Sequence, residues 1–300
     1  MKKVNVAIIG FGEVGSTVAL LINSTLTTVN FSIYDPNPLI YGKFLDFSHA
    51  CAVQENDVSL NLEENLNFAD YIIYCAGHSN QKGESRESVA EINKQMLHFI
   101  FDKPKIKKET KFIVVTNPVE KITKWLKEIF PENAVVGTGT SLDTFRLNWI
   151  VSQKMNLPVS SVKSLVIGEH GQFMTAIFSK SFINSTNFLE IFTEQELIEL
   201  SNELKNMATK IRETEKATKF GVAECVVLVL KAFLGSFDIT IPLSVKINDF
   251  YSAYFQNYDS NLVISLPCQI LKGELSILNF TDFTENELKN VKKAIENFKK

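Results

Sequence analysis

The apolar run Val4-Asn5-Val6-Ala7-Ile8-Ile9 enters the turn Gly10-Phe11-Gly12-Glu13-Val14-Gly15 and leaves it into a segment where Val14, Val18, Leu21 and Ile22 recur at helical spacing. Strand, glycine turn and helix in this order are the first βα unit of a nucleotide-binding sheet. Gly10 permits the tight turn, Gly12 lets backbone approach a pyrophosphate, and Gly15 lets helix and strand pack closely. The helix that follows presents unpaired N–H groups to the anion. Asp35 ends the second apolar run, twenty residues beyond Gly15. An acid there accepts hydrogen bonds from an adenosine ribose and repels a 2′-phosphate, so NAD is expected rather than NADP.

The first half continues to alternate short apolar runs with helical patterns. Strands are expected at Val4–Ile9, Asn30–Tyr34, Tyr71–Cys75, Phe112–Thr116 and Ala134–Val136, with crossover helices between them. Near-continuous apolar strands require cover on both faces of a parallel sheet. The second half changes character. Val162–Ile167 and Phe173–Phe178 read as strands, Thr193 with Glu196 caps a long helix from about Glu194, and Thr284 with Glu287 caps the last one. Val263–Leu278, interrupted by Pro267 and Gly273, reads as two strands and a turn. The expected architecture is α/β: a Rossmann-type doubly wound parallel sheet over residues 1–141, then an α+β substrate and oligomerisation domain over 142–300.

Composition narrows the partners. A net charge of −3 gives no reason to expect nucleic acid or an anionic membrane as partner. The most apolar late segment, Val222–Leu234, is broken by Glu224 and Lys231, which argues against a membrane span. The opening apolar run is too short for a signal peptide. Cys51, Cys75, Cys225 and Cys268 lie far apart without paired spacing, so neither a disulfide framework nor a metal site is expected. A cytoplasmic protein fits these features.

Two later motifs carry chemistry. Asp143 and Arg146 stand three residues apart, on one face of an expected helix. A guanidinium there suits a carboxylate, which it grips through two parallel hydrogen bonds. His170, in Gly168-Glu169-His170-Gly171 after an apolar run, is a proton-transfer group. If Asp143 takes its other ring proton, that contact fixes the tautomer and stabilises the imidazolium. Arg86 closes the polar loop Gly77–Arg86 at the C-terminal end of a strand, where loops face the ligand crevice, and Gly77 and Gly83 suit hinges.

In these residues the chain resembles the lactate/malate dehydrogenase family, more closely its L-lactate branch. The matching segments, in family order, are Gly10–Gly15, Asp46-Phe47-Ser48-His49-Ala50, Gly77–Arg86, Thr116-Asn117-Pro118-Val119, Gly137–Arg146, Gly168–Gly171, Lys216-Ala217-Thr218 and Ser265-Leu266-Pro267-Cys268. The resemblance implies hydride transfer between an L-2-hydroxy acid and NAD. It makes His170 the proton acceptor, Asp143 its orienting partner, Arg146 the carboxylate anchor and Arg86 the cation polarising the carbonyl. Asn117 is implied beside the substrate oxygen and nicotinamide ribose, and Thr218 beside the substrate side chain. Gly10, Gly12, Val14, Gly15, Asp35, Ala76, Gly77 and Thr116 are implied to line the cofactor together with Asn117. A homotetramer or homodimer is implied as well. A catalytically silent NAD-binding sensor is the alternative outside enzymology, and the presence of all four chemical residues speaks against it.

This chain departs from the family pattern at informative places. The specificity position of the loop, Gln for lactate and Arg for malate, is Asn80. A neutral Asn cannot pair a second substrate carboxylate, and being shorter than Gln it leaves room for a side chain larger than methyl. Gln172-Phe173 stands where lactate enzymes usually carry Asp-Ser. Lactate is therefore the first expectation, a bulkier branched 2-hydroxy acid the second and malate the third. Members activated by a sugar bisphosphate use an Arg and a His where this chain has Asn148 and Lys163. Turnover with and without fructose bisphosphate should therefore agree, and a severalfold fall in apparent KM on adding it would contradict the reading.

Overall fold

The computed structural model describes residues 3–61, 63–78, 86–215, 217–256 and 261–298. Its contacts divide the chain into two units, Met1–Gly137 with Lys219–Leu234, and Thr138–Thr218 with Gly235–Lys300.

The first unit is built on six parallel strands: β1 (Val4–Ile9), β2 (Val29–Tyr34), β3 (Asp57–Leu60), β4 (Tyr71–Tyr74), β5 (Lys111–Val114) and β6 (Val135–Gly137). Their order is β3-β2-β1-β4-β5-β6. Val6 pairs with Phe31 on one side and Tyr71 on the other, so β1 lies where the order reverses. The crevice at that switch point is where doubly wound sheets bind ligands. Crossovers run through α1 (Glu13–Thr25), α2 (Tyr41–Val53), α3 (Arg86–Ile100) and α4 (Val119–Ile129). The five apolar strands read in the first half are present within two residues, whereas Val162–Ile167, read as one strand, is broken into Val162–Lys163 and Val166–Gly168. β3 was not among them, because Asp57-Val58-Ser59-Leu60 is an edge strand with no buried residue and no hydrophobic run to mark it.

By contacts the main boundary falls at Gly137–Thr138, and one later segment, Lys219–Leu234, groups with the first unit. The helix Phe220–Phe233 belongs to the first unit, where it packs against α1. Ala223, Val226, Val229 and Leu230 on this helix are fully buried. Tyr71 donates from its hydroxyl to the Phe233 carbonyl at 3.2 Å, and Lys111 lies 5.0 Å from the Phe233 ring centroid. Burial of one such side chain is worth about 1.5–3 kcal/mol, so a segment this apolar is held by whatever sheet face accepts it. Among the described residues no helix is long and apolar enough to cross a membrane.

The second unit holds an antiparallel sheet in the order Ile239–Lys246, Val263–Leu271, Val166–Gly168, Met174–Ala176, with Glu274–Ile277 also paired to Val263–Leu271. Pro242 faces Pro267 across the first pair, so residues that lack an N–H meet at one rung. The turn between Leu271 and Glu274 uses Lys272 and Gly273, both at positive φ. Helix α5 (Ser141–Met155) and the helices Glu194–Arg212 and Glu285–Phe298 accompany this sheet. The Thr193–Glu196 capping box is complete, and Thr284 and Glu287 reciprocate at the last helix.

Tyr74 shows where packing has outrun polarity. Its ring is fully buried in the first unit's core near Phe101 and Phe112, and its hydroxyl has no hydrogen-bond partner among the described residues. Burial pushes its ionisation far above the ordinary tyrosine range. Removing an unsatisfied buried hydroxyl without changing the ring should stabilise by about 1 kcal/mol. Tyr74→Phe should therefore raise the denaturant midpoint. A fall would mean that the hydroxyl is engaged after all.

Candidate active site

In the first unit the glycine turn has the geometry its spacing predicts. Gly10 sits at φ +89°, and a Cβ there would lie 2.4 Å from the Ala76 nitrogen. A Cβ on Gly15 would lie 1.9 Å from the Gly10 carbonyl oxygen. At Gly12 a Cβ would meet nothing within 4 Å, so this edge of the turn is open to an approaching ligand. Asp35 lies beside the turn at the end of β2. Its carboxylate accepts the Phe11 N–H at 2.7 Å and the Asn37 N–H at 3.0 Å. Asn61 braces it, accepting the Asp35 N–H at 2.8 Å and donating to the Asp35 carbonyl at 3.0 Å. Asn61 escapes sequence reading, since only the pairing of β2 with β3 brings it near.

A carboxylate at the mouth of a phosphate cradle needs compensation. Glu13, the first residue of α1, is held by Lys219 at 2.8 Å and Lys43 at 3.1 Å. Those bonds, Lys219's first, lower its pKa to about 2. Val14 follows, half-buried in the first helical turn. At the ends of β4 and β5, the Thr116 hydroxyl donates to the Ala76 carbonyl at 2.8 Å, and a Cβ on Gly77 would come within 2.3 Å of Thr116 Cγ2. The Asn117 carbonyl accepts a bond of 2.9 Å from Asn93. Gly10, Ala76, Gly77, Thr116 and Asn117 thus meet at the C-terminal ends of β1, β4 and β5, and the open turn and braced acid fit a dinucleotide.

In the second unit Asp143, Arg146 and His170 come together. Asp143 is fully buried on α5; its carboxylate receives His170 Nδ1 at 2.6 Å on one oxygen and Arg146 Nη1 at 3.1 Å on the other. Burial alone raises its pKa, but the charges and hydrogen bonds of His170 and then Arg146 prevail and set it below the ordinary value. The side chains of Arg146 and His170 are 10% and 24% exposed. With Nδ1 committed to Asp143, the His170 edge left for proton exchange is Nε2.

Local hydroxyls hold this geometry. Gly139 lies at φ +45°, and a Cβ there would be 2.0 Å from Ser265 Oγ. The Thr140 N–H donates to Ser265 Oγ at 3.0 Å, and Ser265 bonds Ser244 at 2.9 Å. The Thr140 hydroxyl donates to the Val166 carbonyl at 2.6 Å, and the Val166 N–H returns a bond to Thr144 Oγ1 at 3.1 Å. Helix α5, which carries Asp143, is therefore bolted to the strand that leads into His170. Asn148 Oδ1 accepts both the N–H and the hydroxyl of Ser164, at 2.9 and 2.7 Å, a further tie between the same two elements.

Of Thr218, Asn80 and Arg86, only Thr218 is fully described. Thr218 lies half-buried in the irregular stretch before helix Phe220–Phe233, with no bond to the trio among the described hydrogen bonds. Asn80 is outside the described residues. Arg86 is the first residue of α3, and its side chain is likewise outside the description.

Asp143 ionises more readily in the folded protein than its ordinary value of 3.8. Stability from its ionised form is therefore fully present above that pH and is lost as pH falls through the lower folded value. Asp143→Asn should melt below the parent at pH 6, and the gap should narrow toward pH 3. A gap that stays constant across that range would contradict the assignment.

Comparison with known proteins agrees with both halves. Residues 4–137 match the lactate/malate dehydrogenase NAD binding domain, and residues 140–300 match the alpha/beta C-terminal domain of the same family. The chain is 28% identical over 305 residues to the L-lactate dehydrogenase of Macrococcus caseolyticus, covering 98% of this chain and 95% of the relative. The minor L-lactate dehydrogenase of Enterococcus mundtii shares the fold at a TM-score of 0.88 and 24% identity, over 99% of this chain and 96% of that one. The malate dehydrogenase of Aeropyrum pernix superposes at a TM-score of 0.85 and 25% identity, over 98% and 96% of the respective chains. The chain belongs to the lactate/malate dehydrogenase family and is an NAD-dependent 2-hydroxyacid dehydrogenase.

Proposed function

We propose that this protein is an L-lactate dehydrogenase, interconverting L-lactate and pyruvate in the cytoplasm as a homodimer or homotetramer. The observation that carries the reading is the Asp143–His170–Arg146 trio, a proton-transfer group and a carboxylate anchor sharing one buried acid. Its likeness to enzymes named L-lactate dehydrogenase supports the substrate. So does the neutral Asn80, which offers no partner for a second carboxylate. Exposed Leu39, Tyr41, Val53 and Phe220, on one unit, are apolar surface of the kind an oligomer covers.

In this mechanism Arg146 grips the substrate carboxylate; the bond to Asp143 uses one of its five N–H groups. His170 takes the hydroxyl proton at Nε2 as C2 is oxidised, and returns it in the reverse direction. Asp143 fixes the ring and offsets the imidazolium charge, so the proton has a ready place as it leaves oxygen. Arg86 supplies positive charge to the carbonyl oxygen, and Asn80 and Thr218 border the substrate side chain. Gly10, Gly12, Val14 and Gly15 would hold the pyrophosphate of NAD, Asp35 its ribose, and Ala76, Gly77, Thr116 and Asn117 the nicotinamide end, where the cofactor would supply the hydride acceptor.

A bulkier branched 2-keto acid is the second reading, favoured by the short Asn80 side chain. NADH oxidation with pyruvate, 2-oxoisocaproate, phenylpyruvate and oxaloacetate tests both. Pyruvate should give the highest kcat/KM; dominance by oxaloacetate would overturn the use made of Asn80. His170→Ala should lower kcat by roughly 10²–10⁴-fold while leaving NADH binding intact. Arg146→Lys should act mainly through the keto-acid KM, because an ammonium lacks the planar two-point grip.

A further inference from the structure

We infer that Asn93 is a positioning residue for the reaction: its side-chain amide ties the backbone at His78, where the chain leaves β4 toward Asn80, to the backbone of Asn117 at the end of β5. The inference rests on the proposed place of Asn117 beside cofactor and substrate.

Asn93 lies on α3 and is fully buried. Its Oδ1 accepts the His78 N–H at 2.6 Å. Its Nδ2 donates to the Asn117 carbonyl at 2.9 Å and to the His78 carbonyl at 3.3 Å. The carbonyl and both N–H groups of the amide are thereby matched, which a buried amide requires. Gly77 sits beside the same amide: a Cβ there would be at ordinary contact distance from both polar atoms of Asn93, and it is Thr116 Cγ2 that leaves it no room.

The choice of residue is specific. Asparagine is a poor helix former and costly to bury, so an apolar side chain would serve α3 better if packing were its only task. Aspartate has the same size but, ionised, only accepts, and would face two carbonyls with negative charge. An apolar replacement would leave the His78 N–H and the Asn117 carbonyl without their partner. The amide also holds the backbone at His78 and at Asn117 against α3, so one side chain sets where these two residues stand relative to each other.

The pyrophosphate and ribose cradle around Gly10–Gly15 and Asp35 is made by β1, β2 and α1, so a disturbance at Asn93, felt only at the nicotinamide end, should lower turnover more than cofactor affinity. Asn93→Ala should lower kcat/KM for pyruvate by roughly tenfold or more, since small misplacements of reacting groups are costly. The NADH dissociation constant, read by fluorescence, should change by less than about threefold. In the cofactor-free protein, exchange of the His78 amide should quicken by roughly tenfold or more, with the Ile33 amide on β2 unchanged. Asn93→Ser, with a short hydroxyl in place of the amide, should fall between the two and serves if the alanine variant fails to fold. Parent-like exchange and turnover would overturn the proposal. So would NADH affinity, turnover and melting temperature falling in proportion, the mark of a purely structural residue. If the parent ignores pyruvate but reduces another 2-keto acid, the lactate assignment fails instead, and the Asn93 comparison is made on that substrate.

Discussion

A single buried carboxylate governs the second unit. Asp143 has no exposed surface, and an isolated charge there would carry a heavy desolvation cost. It persists because one oxygen serves an imidazole and the other a guanidinium. The arrangement works in both directions. The acid fixes His170 and Arg146 relative to each other, and their positive charge keeps the acid ionised. Loss of either partner leaves a buried charge short of compensation, so the three residues behave as one unit in stability as well as in chemistry.

The first unit obeys a steric constraint of similar severity. Around Gly10 and Gly15 the backbone of β1, α1 and the end of β4 approach too closely for any side chain, while Gly12 faces open space. The cradle is thus defined by where atoms are missing. Polar groups then tune it: Asp35 is held by backbone N–H groups, and Glu13 is neutralised by two lysines drawn from α2 and from the residue before helix Phe220–Phe233.

What could be read from sequence was what is local. The bounds of β1 were visible because Val4–Ile9 is an uninterrupted apolar run closed by glycine. The helix beginning at Glu194 was visible because its cap lies within four residues. Asp143 and Arg146 stood out together, three apart, and the structure brings His170 to them. The rest depends on partners far along the chain. Asn93 is an unremarkable polar residue until β4 and β5 deliver His78 and Asn117 to it. Glu13 finds Lys219 only across most of the chain, and the Ser244–Ser265 pair requires two strands in register. Apolar content marked Val222–Leu234 without saying which sheet would take it.

That last assignment bears on biosynthesis. The first unit closes with the helix Phe220–Phe233, so a ribosome must release residues well past position 200 before the sheet begun at Val4 has its full cover. Until then α1 keeps an apolar flank in water, and a fragment stopped at residue 137 would carry the entire glycine cradle on an unfinished body. The first unit, although compact, is therefore completed by a segment from late in the sequence.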